Sequence, residues 1–223
     1  MAGVFLLFGQ NCRVSKFLVV FDVDSTLIQD EVIELLAEVA GKRAEVAEVT
    51  ERAMRGELDF SQSLIQRVQA LTDLPESVFA DVYQRITPTI GVQETIDAIH
   101  AAGGLVGAVS GGFTQVLTPL AAKLGLDFAR ANDLEVIDGK LTGKVLGRIV
   151  DKTVKAESVR EWAELGGVPL AQTIAVGDGA NDLEMMATAS LGVAFNAKPI
   201  VRAQADVVIE KQDLRELLPL LGI

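Results

Sequence analysis

The sequence predicts an open, doubly wound α/β sheet with a small helical domain inserted after its first strand. Three observations carry this expectation. Continuous apolar runs stand at residues 17–21, 105–109 and 173–176, as in strands buried on both faces of a parallel sheet. Amphipathic helical periodicity fills the gaps between runs. The stretch 31–88 holds helix patterns and no comparable strand.

Taken in order, residues 1–16 resist assignment, with 4–8 either an edge strand before a Gly9-Gln10-Asn11 turn or the remnant of a longer segment. Phe17-Leu18-Val19-Val20-Phe21 is the first core strand. Four helix patterns follow: Val32, Ile33, Leu35, Leu36 and Val39 closed by Gly41; Val46, Val49 and Ala53; Leu64, Ile65, Val68 and Leu71; and Val78, Val82 and Ile86. Thr87-Pro88-Thr89-Ile90-Gly91 marks the exit and a hinge. The division is therefore a core of 1–30 and 89–223 and a helical-bundle cap of 31–88. Val92, Ile96 and Ile99 form the helix before the second strand. His100 sits at its end, where the helix dipole favours a cation. Val116, Leu117, Leu120 and Leu124 follow that strand. Residues 134–145 differ, because two β-like runs flank Asp138-Gly139, a type I′ hairpin signal. Val159, Trp162 and Leu165, ended by Gly166-Gly167, precede the third strand, and runs at 191–195 and 207–209 complete the sheet.

Composition removes whole classes of function. Across 223 residues, 31 Asp and Glu against 20 Lys and Arg leave a net charge of −11, the wrong sign for a nucleic-acid scaffold. The longest strongly apolar blocks, 4–8 and 17–21, are far shorter than the about 20 residues of a membrane span. A single cysteine, Cys12, excludes an intrachain disulfide and a cysteine zinc cluster. It also excludes a cysteine phosphatase loop, because Leu18 stands where the arginine would be. With no signal-peptide pattern at the N-terminus, the expected compartment is the cytoplasm. One histidine excludes two-His zinc sites and histidine-pair catalysis. Any chemistry must rest on carboxylates, hydroxyls, lysines and a metal.

The first strand runs into Asp22-Val23-Asp24-Ser25-Thr26. Carboxylates at the carboxyl end of a parallel strand lie where open α/β sheets bind ligands. Asp22 and Asp24 point to one side, and like charges that close need a cation or a proton between them. The second strand ends Ser110-Gly111-Gly112-Phe113 and leads to a helix, so its glycines let backbone N–H groups approach an anion. The third ends Gly177-Asp178-Gly179-Ala180-Asn181-Asp182. That is nearly a dinucleotide fingerprint, but Asp182 replaces its last glycine and Asp178 would face the pyrophosphate. Asp178 and Asp182 read better as a second carboxylate pair at the same sheet edge. Few, hard oxygen ligands suit Mg²⁺ bound together with a substrate phosphate. Lys155, at the start of the helix feeding the third strand, can neutralise the phosphate or the nucleophile. Singly, each motif also describes a solvated turn or a surface lysine; their joint order gives them weight.

In that order, from about Phe17 to the C-terminus, the motifs resemble the haloacid dehalogenase (HAD) superfamily of aspartate-nucleophile phosphohydrolases, which implies a Rossmann-like core and an inserted cap. The resemblance is closer to its phosphoserine phosphatase family, whose cap carries a Glu nine residues after the nucleophile, then a Met, a Phe and an Arg; Glu31, Met54, Phe60 and Arg67 match. It implies Mg²⁺-dependent hydrolysis of O-phospho-L-serine to L-serine and phosphate through an aspartyl-phosphate, the last step of serine biosynthesis. By that resemblance Asp22 attacks phosphorus, and Asp24 protonates the leaving oxygen and then activates water. Asp22, the main-chain carbonyl of Asp24, and Asp178 would hold Mg²⁺, with Asp182 behind them. Ser110, Gly111 and Lys155 would bind phosphoryl oxygens, supported by Asn181. Glu31 would pair with the substrate ammonium and Arg67 with its carboxylate, beside Met54 and Phe60. Two alternatives stay open. One is a phosphatase for another small phosphate, such as phosphohomoserine. The other is a phospho-acceptor, receiver-type signalling domain, which would need neither Asp24 nor a cap. The expected partner is a small phosphomonoester, with no nucleic acid, no membrane and no particular oligomeric state implied.

Overall fold

A four-residue strand is the pivot of the molecule. In the computed structural model, which describes residues 17–55 and 57–223, β1 (Leu18–Phe21) is buried along its whole length. The expected edge strand at 4–8, and Cys12, lie outside the described residues. From β1 the chain passes a wide helical turn (Val23–Leu27) into α1 (Val32–Val39), α2 (Arg43–Met54), α3 (Phe60–Gln69) and α4 (Val78–Tyr83). It continues through α5 (Val92–Ala101), β2 (Leu105–Phe113), α6 (Thr114–Leu124), β3 (Phe128–Ile137), β4 (Lys140–Leu146) and α7 (Lys152–Leu165). The last third holds β5 (Thr173–Gly177), α8 (Leu183–Thr188), β6 (Leu191–Phe195), α9 (Pro199–Arg202), β7 (Val207–Ile209) and α10 (Leu218–Leu221).

The strands form one seven-stranded sheet in the order β4-β3-β2-β1-β5-β6-β7. Its pairings are parallel except for the β3–β4 hairpin. Val19 and Phe21 join one apolar layer with Ile96, Ile99, Val116 and Leu120, while Leu18 and Val20 join another with Val159, Trp162, Met185 and Met186. Alternate side chains of one strand thus serve both faces of the sheet, which is why the run carries no polar residue. The hairpin turns at Asp138 (φ 51°) and Gly139 (φ 73°), both left-handed as type I′ requires.

The Ser110-Gly111-Gly112-Phe113 motif ends the second strand and leads directly into a helix, as expected. β2 continues through Phe113, with a register shift between Val109 and Phe113, and pairs Phe113 with Asn132. The glycines therefore sit on a bulged strand end, and α6 starts at Thr114.

Residues 31–88 hold four helices and, among the described residues, no strand. The chain leaves and re-enters the sheet layer side by side: Gln29 N–H donates to Thr87 O (2.9 Å), Thr89 N–H to Leu27 O (3.0 Å), and Thr87 N–H to Asp30 Oδ2 (2.6 Å). A second attachment had no counterpart in the sequence pattern. Asp73 N–H donates to Leu141 O, Leu141 N–H to Leu74 O and Glu76 N–H to Gly139 O, all at 2.9 Å, so the segment before α4 lies along the outer edge of β4. Gly143 permits this approach, because a Cβ there would collide with the Thr72 hydroxyl. Among the described residues no helix is long and apolar enough to cross a membrane.

Candidate active site

The carboxyl ends of β1, β2 and β5 meet at one point of the sheet edge. Asp22 N–H donates to Val176 O (2.8 Å), carrying the β1–β5 ladder one residue past Phe21 and fixing Asp22 at that edge. The wide turn that follows is reversed at Ser25, which is left-handed (φ 58°), and it returns Asp24 over the same point. Gly112 belongs here for a steric reason: a Cβ would stand 2.9 Å from Ser110 Oγ and 3.1 Å from Asp24 Oδ2.

Lys155 is fully buried, on the first turn of α7, which Asp151 caps through its side chain (Val154 N–H to Oδ1, 2.9 Å). Its ammonium donates to Asp22 Oδ1 and to Asp182 Oδ1, each at 2.6 Å. Asp182 is completed by Gly179 N–H, which donates to Oδ2 (3.0 Å). A buried lysine is tolerable only when paired in this way. Burial alone would lower its pKa, but Asp182 and Asp22 outweigh that and raise it, so the ammonium stays charged.

Carboxylates outnumber that charge. Burial, then Asp182, push the Asp22 carboxyl up to about 7 against the pull of Lys155. Burial and Asp182 push Asp178 up to about 6. Burial, Glu31 and Asp22 hold Asp24 well above the usual carboxylate range, in a carboxyl whose Oδ1 receives only a long contact from Val32 N–H (3.4 Å). Oxygens of Asp22, Asp178 and Asp182 all lie within 4.8 Å of one another. Asp182 has both oxygens engaged, so Asp22 Oδ2 and the Asp178 carboxylate are the ones left for a ligand. Hard oxygen donors with uncompensated negative charge fit Mg²⁺.

The opposite wall comes from α1 and α3 and their leads. Glu31 Oε1 accepts from the Ser25 hydroxyl (2.8 Å). Arg67, half-buried, donates through Nε to Ser63 O (3.3 Å), which leaves its terminal nitrogens for another partner; burial lowers its pKa, opposed by Glu31 and Asp24. Phe60 and Arg67, seven residues apart on a helix that begins at Phe60, share the inward face of α3. The Phe60 ring lies over Gly111, where a Cβ would come within 2.9 Å of Cζ. Between the walls is a cavity of about 800 Å³, lined among others by Asp22, Asp24, Glu31, Arg67, Asp178 and Asn181.

The structure thus gathers Asp22, Asp24, Glu31, Phe60, Arg67, Gly111, Asp178 and Asn181 around one cavity. Lys155, Asp182 and Ser110 lie buried beneath it. The Ser110 Oγ accepts from Gly112 N–H (2.8 Å), leaving its own hydrogen free to donate. Met54 is the last residue of α2, and its side chain lies outside the described residues. His100 bonds Asp127 Oδ2 (3.0 Å) beside the start of β2, at the sheet edge opposite the cavity.

Sequence reasoning missed Asn132. This buried residue donates through Nδ2 to Gly111 O (2.8 Å) and Gly112 O (3.2 Å) and accepts Val150 N–H (2.8 Å), pinning the glycine bulge. An asparagine within a β-run was its only signal. Lys152 and Lys198, at the rim, carry no motif.

Known proteins share this architecture. A Streptococcus thermophilus phosphoserine phosphatase is 55% identical over 206 residues, covering 92% of this chain and 96% of that protein. A Streptomyces coelicolor phosphoserine phosphatase is 56% identical over 211 residues, which are 95% of this chain but 52% of that longer protein. A solved structure of substrate-bound phosphoserine phosphatase matches with a TM-score of 0.87 at 47% identity, covering 92% of this chain and 98% of that one. One of a phospho-aspartyl intermediate analogue of phosphoserine phosphatase gives 0.86 at 47%, with 92% and 99% covered. The family model described as haloacid dehalogenase-like hydrolase matches residues 19–187. With the fold, the carboxylate edge and most of the chain in agreement, this protein belongs to the haloacid dehalogenase-like hydrolases.

Proposed function

We infer that the protein hydrolyses O-phospho-L-serine to L-serine and phosphate, with Mg²⁺, through an aspartyl-phosphate on Asp22. One observation carries the reading. A nucleophile-grade carboxylate, held by a buried lysine through one oxygen, presents its other oxygen to a cavity whose far wall carries Glu31 and Arg67. The core supplies phosphate chemistry, and the wall supplies one anion and one cation, the complement of an amino acid's ammonium and carboxylate.

Asp22 attacks phosphorus through one of its carboxylate oxygens while the bond to the seryl oxygen breaks, and Asp24 gives the seryl oxygen its proton. A carboxyl held well above its ordinary range keeps a proton for this step at neutral pH. Asp24, now a carboxylate, takes a proton from the water that attacks the aspartyl-phosphate, and phosphate leaves with Asp22 and Asp24 restored. Two easier steps replace one difficult one. Lys155 orients Asp22, while the Ser110 hydroxyl and Gly111 N–H donate to phosphoryl oxygens, with Asn181 beside them. When bound by Asp22, the main-chain carbonyl of Asp24, and Asp178, Mg²⁺ supplies neutralisation of the phosphoryl charge. Phe60 shuts out water above Gly111, and residues 31–88 act as the specificity cap on a core of 1–30 and 89–223. The setting is the cytoplasm, and the partner is the small phosphomonoester.

A receiver-type domain would leave Asp24 and the cap without a task. Phosphohomoserine differs from phosphoserine by one methylene, worth about 10–200-fold in a pocket. Phosphate release from a panel of phosphorylated metabolites, with and without Mg²⁺, decides. Phosphoserine should show the highest kcat/KM, and a higher value for phosphohomoserine would move the substrate assignment.

A further inference from the structure

Among the described residues, four cationic side chains surround the cavity or its floor, and three already have a task. Lys155 is shared by two carboxylates, Lys152 pairs with Glu184 at 2.8 Å, and Arg67, anchored to its own helix through Nε, faces the substrate carboxylate in the function inferred above. Lys198 is different. Its main chain is pinned, because its N–H donates to Asp178 O (3.1 Å) and the preceding Ala197 carbonyl accepts Arg202 Nε (2.6 Å). The following Pro199 holds it in extended backbone (φ −63°, ψ 151°). Its ammonium, by contrast, stands 3.9 Å from Asp178 Oδ2 with 67% of the side chain exposed, against 12% for Asp178. That distance is a loose ion pair and no hydrogen bond. A compact charge on a flexible stem, anchored at its root beside a ligand carboxylate and lining the cavity mouth, can serve two partners in turn.

We propose that Lys198 is a shuttling counter-ion: it neutralises Asp178 until the divalent cation takes that carboxylate, then turns its ammonium to the incoming phosphate dianion. The proposal rests on the function inferred above. It answers a problem that function raises, since a chain of net charge −11 must admit a dianion to a cavity walled by Asp22, Asp24, Glu31 and Asp178. A cation at the mouth raises the local concentration of the substrate and its on-rate.

The roles predict effects of opposite sign in Lys198→Gln. Removing a competitor for Asp178 should tighten Mg²⁺ binding, read by calorimetric titration without substrate, by about two- to fivefold, the scale of an exposed ion pair. Removing the capture charge should lower kcat/KM at saturating Mg²⁺ by about three- to tenfold at low ionic strength, with the deficit shrinking as salt is added. The loss should be equal for phosphoserine and p-nitrophenyl phosphate, because it acts at the phosphate, and Lys198→Arg should retain most of the activity. Unchanged or weaker Mg²⁺ binding in Lys198→Gln overturns the counter-ion role, and unchanged kcat/KM overturns the capture role. Wild-type protein that ignores phosphoserine overturns the substrate reading alone, because the titration and p-nitrophenyl phosphate still test Lys198.

Discussion

Asp22 and Asp178 hold protons more tightly than free aspartates, at about 7 and about 6, and a metal ligand must lose them. Mg²⁺ binding should therefore expel protons, and its affinity should climb as pH rises between about 5 and 7. Calorimetry in buffers of different ionisation enthalpy measures both, and pH-independent affinity across that range would contradict the buried-carboxylate account. On the facing wall, Arg67→Ala removes a charge-assisted bond worth about 1.5–3 kcal/mol without touching phosphorus. The kcat/KM for phosphoserine should then fall at least about 10-fold, while an aryl phosphate lacking amine and carboxylate is hydrolysed nearly as before. Unchanged phosphoserine turnover would make Arg67 a bystander. Asp22, Asp24, Asp178 and Asp182 were legible in the sequence because strand-end carboxylates announce a ligand edge, and Lys155 only through its place in the ordered set of motifs. Asn132 and Lys198 were not, because their work is to bond across chain segments that only the folded sheet brings together.

Among the elements, α3 brings Phe60, Leu64 and Arg67 to the cavity, so its first turn matters beyond stability. Asp59 accepts Gln62 N–H (2.8 Å), and the Gln62 side chain accepts Asp59 N–H (3.1 Å), a reciprocal cap immediately before Phe60. Asp59→Ala should cost about 1 kcal/mol and lower Tm by about 2–4 °C. It should also raise KM for phosphoserine through a loosened Phe60, with Asp59→Ser restoring both. A Tm loss with unchanged KM would show that Phe60 is held by packing alone. Element types were largely readable, because runs buried on both faces and helical stripes leave distinct periods, and Asp138-Gly139 specified its own turn. That Ser110–Phe113 ends a strand and leads to a helix was readable too, but the bulge was not, because it is set by the Phe113–Asn132 pairing across the sheet.

At the scale of the molecule, the cap is fastened twice: at its linkers, and by residues 73–76 along β4. Helical periodicity predicts the first attachment and is blind to the second, which is made by main-chain groups. The second attachment constrains how substrate passes Phe60. A cap swinging only about its linkers would tear three backbone hydrogen bonds, each worth about 1 kcal/mol net, and would uncover the apolar contact around Leu141, which is buried with Leu64, Val68 and Leu71. The alternative is that the hairpin bends with the cap. The β3–β4 hairpin runs on beyond Asn132, the last β3 residue paired to β2, so it can flex as a unit with the β3–β4 ladder intact. Pro75 and Lys140 are directly paired across this seam, a geometry within reach of a disulfide. In a Cys12→Ser background, oxidised Pro75→Cys with Lys140→Cys should keep kcat for phosphoserine within about twofold of its reduced form, because hairpin and cap already travel together. A large loss on oxidation, reversed by reductant, would show instead that the cap peels away from β4 in every turnover.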